Sequence, residues 1–438
     1  MSTSDHHPKT NGILSKPWSS FMRDAYASRK PPVLGTVDVA DIEQAAREKL
    51  KDHPSAFMYV FGSAGTNNTY AANRAELDKW RIVPRMLVDA TVRNIETTIF
   101  GAKLRSPLLL APIGVQGIVH GDAECAVAAA ASSLGVPFIM STASTRSIEA
   151  VAKANASGHR WYQLYWPKSE DITLSILSRA KNNGFTALVI TLDTMLLGWR
   201  PHDLQTAYLP FIHGVGAQVG LTDPVFMAHH NAEPISDTDV PEFPYDPVSK
   251  DKAFFDGDEK MRRTMYLGNE WLKETNSGQF RTWADLKFLR DNWDGPIVLK
   301  GIQCVQDAEL AIQHNMDGII VSNHGGRQID GAIPALYALR QICSSPVIKA
   351  AQASGKLTVL YDSGIRTGSD MFKALALGAQ GILLARPFMY GLAMAGQAGV
   401  EQVIRGILAD LEITLGLAGF RNLQEIQGKA DEILVRLD

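Results

Sequence analysis

His324 and Arg327 are the pair of side chains whose types and spacing most clearly could do chemistry. They lie in Gly318-Ile-Ile-Val-Ser-Asn-His-Gly-Gly-Arg-Gln-Ile-Asp-Gly331. The first part is a β-branched apolar run, the pattern of a strand buried on both faces. The second part breaks at once into Ser, Asn, His and Arg set among glycines. Histidine exchanges a proton near neutral pH more readily than any other side chain. Arginine presents a planar fork that matches a carboxylate. The glycines permit close backbone approach or positive φ. The expectation is that His324 moves a proton while Arg327 holds an acid. The plainer reading is a strand-to-helix loop whose His and Arg satisfy local backbone. The polar cluster follows the apolar run directly and both residues share one short loop, which weighs toward function.

The elements that must position such a pair can be read from the pattern. Apolar runs that read as buried strands occur at 107–112, 137–141, 161–165, 187–193, 297–300, 318–322, 357–362 and 381–386. Helical periodicity separates most of them, at about 123–134, 147–154, 171–182, 284–292, 305–314, 334–343 and 369–377. Alternating strand and helix imply parallel strands with right-handed crossovers. Eight strands close a (β/α)8 TIM barrel, so the expected class is α/β. An open doubly wound sheet is the alternative, but Ala111-Pro-Ile-Gly114 after the first run is not its glycine fingerprint.

Polar residues gather at the C-terminal ends of these runs. They are Gln163 and Tyr165, then Thr191 and Asp193 with Arg200 a little beyond, then Lys300, Ser322, His324, Asp362 and Arg386. Barrel active sites are built on that face. Unpaired buried polar groups cost about 1–3 kcal/mol each, so such a ring implies a ligand.

Around the barrel, residues 1–35 are rich in Ser, Pro and Lys and read as a loosely ordered arm, with a single domain over 36–438. Residues 37–50 read as a helix capped by Asp38 or Asp41. Tyr59 lies in an apolar-aromatic segment that ends in a small-residue loop. Residues 201–281 form a proline-rich insertion after strand four, expected to be a lid over the active face. From Phe388 on, the chain reads as helices.

The net charge of −3 over 438 residues, without a long basic block, argues against nucleic acid or an anionic membrane as partner. Cys125, Cys304 and Cys343 suggest neither a disulfide framework nor a metal site. The polar N-terminus lacks a signal-peptide core, and no apolar run is long enough to span a membrane; a cytoplasmic location is expected.

The loops after strands seven and eight carry Asp362-Ser-Gly364-Ile-Arg366 and Ala385-Arg386-Pro387. In barrels these loops usually bind phosphate, through backbone N–H groups near a glycine turn and through cationic side chains. With Ser322-Asn-His-Gly-Gly-Arg-Gln-Ile-Asp-Gly331, the chain resembles the FMN-dependent 2-hydroxy-acid oxidising family, from about residue 37 to residue 430. Gly198-Trp-Arg-Pro-His-Asp-Leu204, Tyr208-Leu-Pro-Phe211, Gly114-Val-Gln-Gly-Ile-Val-His120 and the long insertion look most like its lactate 2-monooxygenase members.

The resemblance implies FMN as cofactor and a small L-2-hydroxy acid, lactate or larger, as substrate, with oxygen as acceptor and a homotetrameric assembly. It implies that His324 is the catalytic base, supported by Asp193. Arg327 and Arg200 would bind the substrate carboxylate, and Tyr59 and Tyr165 would contact substrate oxygens. Lys300 would face the flavin N1–C2=O edge. Ser141, Gln163 and Thr191 would bond the flavin ring, with Ser322 close to it. Asp362, Gly364, Arg366, Ala385 and Arg386 would hold ribityl and phosphate. Ala143 stands where glycolate oxidase-like members carry Trp, which leaves room beyond the α-carbon. Ser363 and Ala385 stand where many relatives carry Gly, and their small size is expected to spare the phosphate contacts. Three alternatives stay open: an oxidase that releases keto acid and hydrogen peroxide, a flavin-independent phosphate-binding barrel lyase or isomerase, and a non-catalytic binding barrel.

Overall fold

The computed structural model describes residues 16–437. Eight parallel strands close a barrel. They are β1 (Leu108–Leu110), β2 (Phe138–Ser141), β3 (Arg160–Leu164), β4 (Leu188–Thr191), β5 (Ile297–Ile302), β6 (Gly318–Val321), β7 (Thr358–Tyr361) and β8 (Gly381–Leu384). Each pairs with the next and β8 pairs with β1. The eight apolar runs are these strands.

Period-two alternation sends successive side chains to opposite faces of a strand. One set, Leu109, Ile139, Trp161, Val189, Val298, Ile320, Leu360 and Leu383, packs into a cluster of its own inside the barrel. Their neighbours, among them Leu108, Phe138, Leu188, Leu299 and Tyr361, pack outward against the helices in a second, larger core. Burial on both faces explains why the strands read as continuous apolar runs. A hairpin of Thr97–Ile99 and Ala102–Leu104 plugs the N-terminal end, with Ile99 and Leu104 joining the inner cluster.

The helix Val39–Lys49 is capped by Asp38, whose carboxylate accepts from the N–H groups of Ala40 and Asp41. The loose arm expected over 1–35 is not what residues 16–35 form. Ser20–Ser28 is a helix, Trp18 and Leu34 are buried, and Leu34 N–H donates to Gln402 Oε1 at 2.7 Å. Two apolar anchors are enough to tie a polar segment to the long helix Arg386–Leu417. Residues 1–15 lie outside the described residues. The C-terminal region is not helical throughout: Leu434–Arg436 pairs antiparallel with Trp80–Ile82. Among the described residues no helix is long and apolar enough to cross a membrane.

The insertion is folded rather than a loose loop. It carries helices Pro201–Gln205, Gln218–Leu221, Pro224–His229, Pro247–Phe255 and Glu259–Thr275. Buried Asp223 accepts from Arg179 at 3.2 Å and Ser175 at 2.8 Å, and Arg179 also donates to Val219 O and Thr222 Oγ1. Trp271 is buried edge-on to Phe226. Its far end is pinned by Asn276, whose amide donates to Thr194 O at 3.0 Å.

Candidate active site

Two residues beyond each member of the inner apolar cluster come Ala111, Ser141, Gln163, Thr191, Lys300, Ser322, Asp362 and Ala385. The alternation that fills the barrel with Leu, Ile and Val below thus points these eight positions inward above. Seven of them were expected site residues; Ala111 is the eighth. Register ties them together, with Ser141 opposite Gln163 and Thr191 opposite Lys300. Two residues further still come Ala143, Tyr165, Asp193, His324 and Gly364.

A cavity opens on this face. Tyr59, Tyr165, Arg200, Lys300, His324, Arg327, Asp362, Gly364, Arg366, Ala385 and Arg386 all line it. Ser141, Gln163, Thr191, Ser322 and Asp193 do not line it; they are held beneath or beside its wall. Ser141 Oγ–H donates to Gln163 Oε1 at 3.0 Å, and Lys300 Nζ donates to Ser322 Oγ at 3.1 Å. Trp271, Leu272, Thr275 and Asn276 of the insertion line the cavity too. No pattern in the chain pointed to these four.

His324 sits at φ 58, followed by Gly325 at φ 64 and Gly326 at φ 80. Positive φ at a non-glycine residue costs about 1–3 kcal/mol and persists only where surrounding bonds fix it. Here Ser322 Oγ accepts from His324 N, Ser363 Oγ from Gly325 N and Asn323 Oδ1 from Gly326 N. Gly326 is also obligatory on space, since a Cβ there would lie 2.6 Å from Tyr70 N.

His324 Nδ1 lies 2.9 Å from Asp193 Oδ1. Burial pushes the Asp193 carboxyl up, but His324 and Lys300 outweigh it and hold it down at about 2. The carboxylate is therefore an acceptor only, so Nδ1 carries the proton and Nε2 keeps its lone pair. Burial is also the largest influence on His324 and lowers its pKa; Asp193 opposes this, while Lys300 and Arg200 add to it. Both partners of one pair are thus lowered, because the surrounding cations and burial override the gain His324 takes from Asp193. The outcome is an imidazole that is neutral at pH 7 beside a carboxylate that can stabilise its protonated form.

Arg327 donates from Nη1 to Tyr59 O at 2.7 Å and Gly62 O at 2.9 Å. Its pKa is lowered by burial and then by Arg200 and Arg386, although a guanidinium remains charged. Crowding of like charges in one wall favours an anion between them. Lys300 lies 3.4 Å from Asp362. Burial disfavours its charge, but Asp362, Asp193 and Tyr165 outweigh burial and raise its pKa.

Donors without a partner remain at the other end of the site. The Gln163 Nε2 and Arg366 Nη2 groups are buried without a protein partner among the described residues. Gln163 Oε1 is already taken by Ser141 and by Thr142 N, so its amide group is aimed as a donor. Ser363 and Gly364 form a left-handed turn at φ 84 and 102. Arg386, expected beside a phosphate, is also engaged by the protein. It donates to Val60 O, Gly62 O, Gly325 O and Ser63 Oγ, which ties the N-terminal segment to the β6 loop. One of its five N–H groups remains.

A barrel with a histidine–carboxylate pair and two arginines in one cavity is suited to taking a proton from a small acid. Comparison with known proteins agrees. Residues 46–432 match the family model described as FMN-dependent dehydrogenase. The chain is 44% identical over 384 residues to the FMN-dependent alpha-hydroxy acid dehydrogenase qulF of Penicillium citrinum, spanning 88% of this chain and 87% of that one. It is 39% identical over 390 residues to an L-lactate oxidase of Lysinibacillus sphaericus, spanning 89% and 90%. A crystal structure of mandelate oxidase superposes with a TM-score of 0.71 at 33% identity, over 89% of this chain and 97% of that one. The chain belongs to the FMN-dependent 2-hydroxy-acid oxidoreductase family, and its cofactor is FMN.

Proposed function

We propose that this chain oxidises an L-2-hydroxy acid, lactate or a larger analogue, with oxygen as final acceptor and the outcome of a lactate 2-monooxygenase. The observation that carries the chemistry is the His324–Asp193 contact at 2.9 Å in a cavity that Arg200 and Arg327 also line. When bound, FMN would supply the two-electron redox chemistry. The substrate carboxylate is held by Arg327 and Arg200, with Tyr59 and Tyr165 at its oxygens, which fixes the α-carbon in one orientation. His324 Nε2 takes the hydroxyl proton as the α-C–H bond breaks, and Asp193 stabilises the imidazolium. Lys300 would offer the bound flavin a fixed cation. Ser141, Gln163, Thr191 and Ser322 would hold its ring, while Asp362, Gly364, Arg366, Ala385 and Arg386 would hold ribityl and phosphate. Ala143 stands on the cavity wall as a small side chain, so a substrate larger than glycolate is accommodated.

The folded insertion over the cavity supports retention of the product. Oxidation gives a 2-keto acid, and oxygen takes up the two electrons and two protons as hydrogen peroxide. Retained together, peroxide attacks the keto carbon and yields a carboxylic acid one carbon shorter, carbon dioxide and water. The relative named L-lactate oxidase favours a second reading, in which keto acid and peroxide leave separately.

Anaerobic bleaching of the bound flavin by a series of L-2-hydroxy acids tests the reading. His324→Gln is expected to keep FMN and lose about 10²–10⁴-fold in bleaching rate. Rapid bleaching in that variant would refute the base assignment. In air, stoichiometric keto acid and peroxide without the shortened acid would rule out the monooxygenase outcome.

A further inference from the structure

Gln328 closes the stretch that carries His324 and Arg327, yet it does not line the cavity. Its amide makes four hydrogen bonds, all to one loop. Nε2 donates to Asp193 O at 2.7 Å and to Leu196 O at 2.8 Å. Oε1 accepts from Gly198 N at 3.2 Å and from Arg200 Nη2 at 2.7 Å. Both amide hydrogens and both carbonyl lone pairs are used, which is the full capacity of the group. The backbone of Arg327 adds a fifth link, accepting from Arg200 Nε at 3.1 Å.

The loop so gripped, residues 193–200, begins at the partner of His324 and ends at the second arginine of the cavity. Its close approach is enforced at Gly198, where a Cβ would lie 2.4 Å from Arg327 O and 2.8 Å from Gln328 Cα. Other bonds hold the loop between its ends, from Asn276 to Thr194 O, from Gly278 N to Met195 O and from Gly65 N to Trp199 O, but none of them reaches Asp193 or Arg200.

We propose that Gln328 is a positioning residue, whose amide sets Asp193 against His324 and Arg200 against the substrate carboxylate at the same time. The proposal rests on the reading that this site oxidises a 2-hydroxy acid. No residue other than Gln328 bonds both the backbone of Asp193 and the guanidinium of Arg200 among the described residues. Displacing a reacting group by an ångström costs about 10²-fold in rate, so one amide that registers two groups has large leverage. A merely structural Gln328 would instead affect loop stability alone.

The test uses the holoenzyme and two variants of similar shape. Gln328→Met removes all four bonds. Gln328→Glu keeps the acceptor toward Arg200 but turns an acceptor toward the carbonyls of Asp193 and Leu196. The limiting rate of anaerobic flavin bleaching is read with the best L-2-hydroxy acid, and oxalate affinity is read from the flavin difference spectrum. FMN content and thermal midpoint are measured alongside. Both variants are expected to hold FMN, with the limiting rate down about 10–100-fold. Gln328→Met is expected to weaken oxalate about tenfold as well, as Arg200 loses a charge-assisted bond. A lowered thermal midpoint with unchanged rate and oxalate affinity per bound flavin would overturn the proposal, as would loss of FMN from both variants. A wild type that no 2-hydroxy acid bleaches overturns the reading beneath it as well; a bleached wild type matched by Gln328→Met overturns the positioning role alone.

Discussion

The barrel interior has two layers, separated by two residues along each strand. The lower one is Leu109, Ile139, Trp161, Val189, Val298, Ile320, Leu360 and Leu383, closed beneath by Ile99 and Leu104 of the hairpin. The upper one is Ala111, Ser141, Gln163, Thr191, Lys300, Ser322, Asp362 and Ala385. Both occupy inward positions of the same strands or just past their ends, so side-chain chemistry is what separates a packed core from a polar layer. The lower layer contributes stability through close packing. The upper layer gives some of that up, since a buried ion pair such as Lys300–Asp362 loses its hydration and regains it only through a partner. If the layers divide labour in this way, the largest effect is expected at the single cation of the upper layer. Lys300→Met should slow flavin bleaching by about 10²–10³-fold, the loss seen when a preorganised charge-stabilising group is removed. The measurement is the limiting bleaching rate per bound FMN. A rate within twofold of wild type would dissolve the distinction between floor and core at this position.

A smaller effect, with a direction in pH, is expected at Asp193. His324 must be neutral to accept a proton, and its pKa is lowered from the ordinary 6.5. Bleaching should therefore hold its rate above that point and fall as pH drops through the lowered value. Asp193 is one of the groups that raises the pKa of His324. Asp193→Asn should move the acid limb to lower pH and reduce the plateau roughly 10²-fold. A limb displaced to higher pH would contradict the pairing. The same lowered pKa ties folding to pH. The unfolded chain binds a proton at this histidine first, so the stability contribution is complete above about 6.5 and is lost as pH falls through the folded value.

The two layers also explain what could be read from the chain. All eight strands were legible because burial on both faces leaves unbroken apolar runs, and Gln163, Thr191, Lys300, Ser322 and Asp362 of the upper layer stood out as polar residues at the strand ends. His324 and Arg327 were legible from one stretch. The roles of Asp193 and Lys300 came through likeness to relatives, because contacts across strands leave no local pattern. Trp271, Leu272, Thr275 and Asn276 were not legible at all: they are brought to the cavity by an insertion whose fold is set by long-range contacts such as Arg179–Asp223. Residues 16–35 misled for a related reason. Their composition is that of a loose arm, and only Trp18 and Leu34, buried against other parts of the chain, give them a place. Gln328 sat in plain view within the signature, but an amide shows its purpose only once its four partners are known.

The finest division between the layers lies in adjacent strands, at Ile139 of β2 and Gln163 of β3. Both are almost wholly buried, and Ile139 pairs in register with Trp161, two residues below Gln163. Ile139→Val removes one methylene from the packed layer and should cost about 0.5–1.5 kcal/mol of stability, read as a lower denaturation midpoint of the FMN-loaded protein. FMN affinity and bleaching rate should not change, because the cavity it leaves faces the lower layer. Gln163→Met keeps the volume but removes the Nε2 donor that has no protein partner. It should weaken FMN by about the worth of one hydrogen bond, roughly 0.5–1.5 kcal/mol or a few-fold in Kd, and should also lower the midpoint of the FMN-free protein, because Ser141 Oγ and Thr142 N lose their Oε1 acceptor. Ile139→Val thus moves stability alone, whereas Gln163→Met moves FMN affinity as well. An Ile139→Val that loosened FMN, or a Gln163→Met that lowered stability while binding FMN as before, would show that core and floor are a single cooperative unit instead.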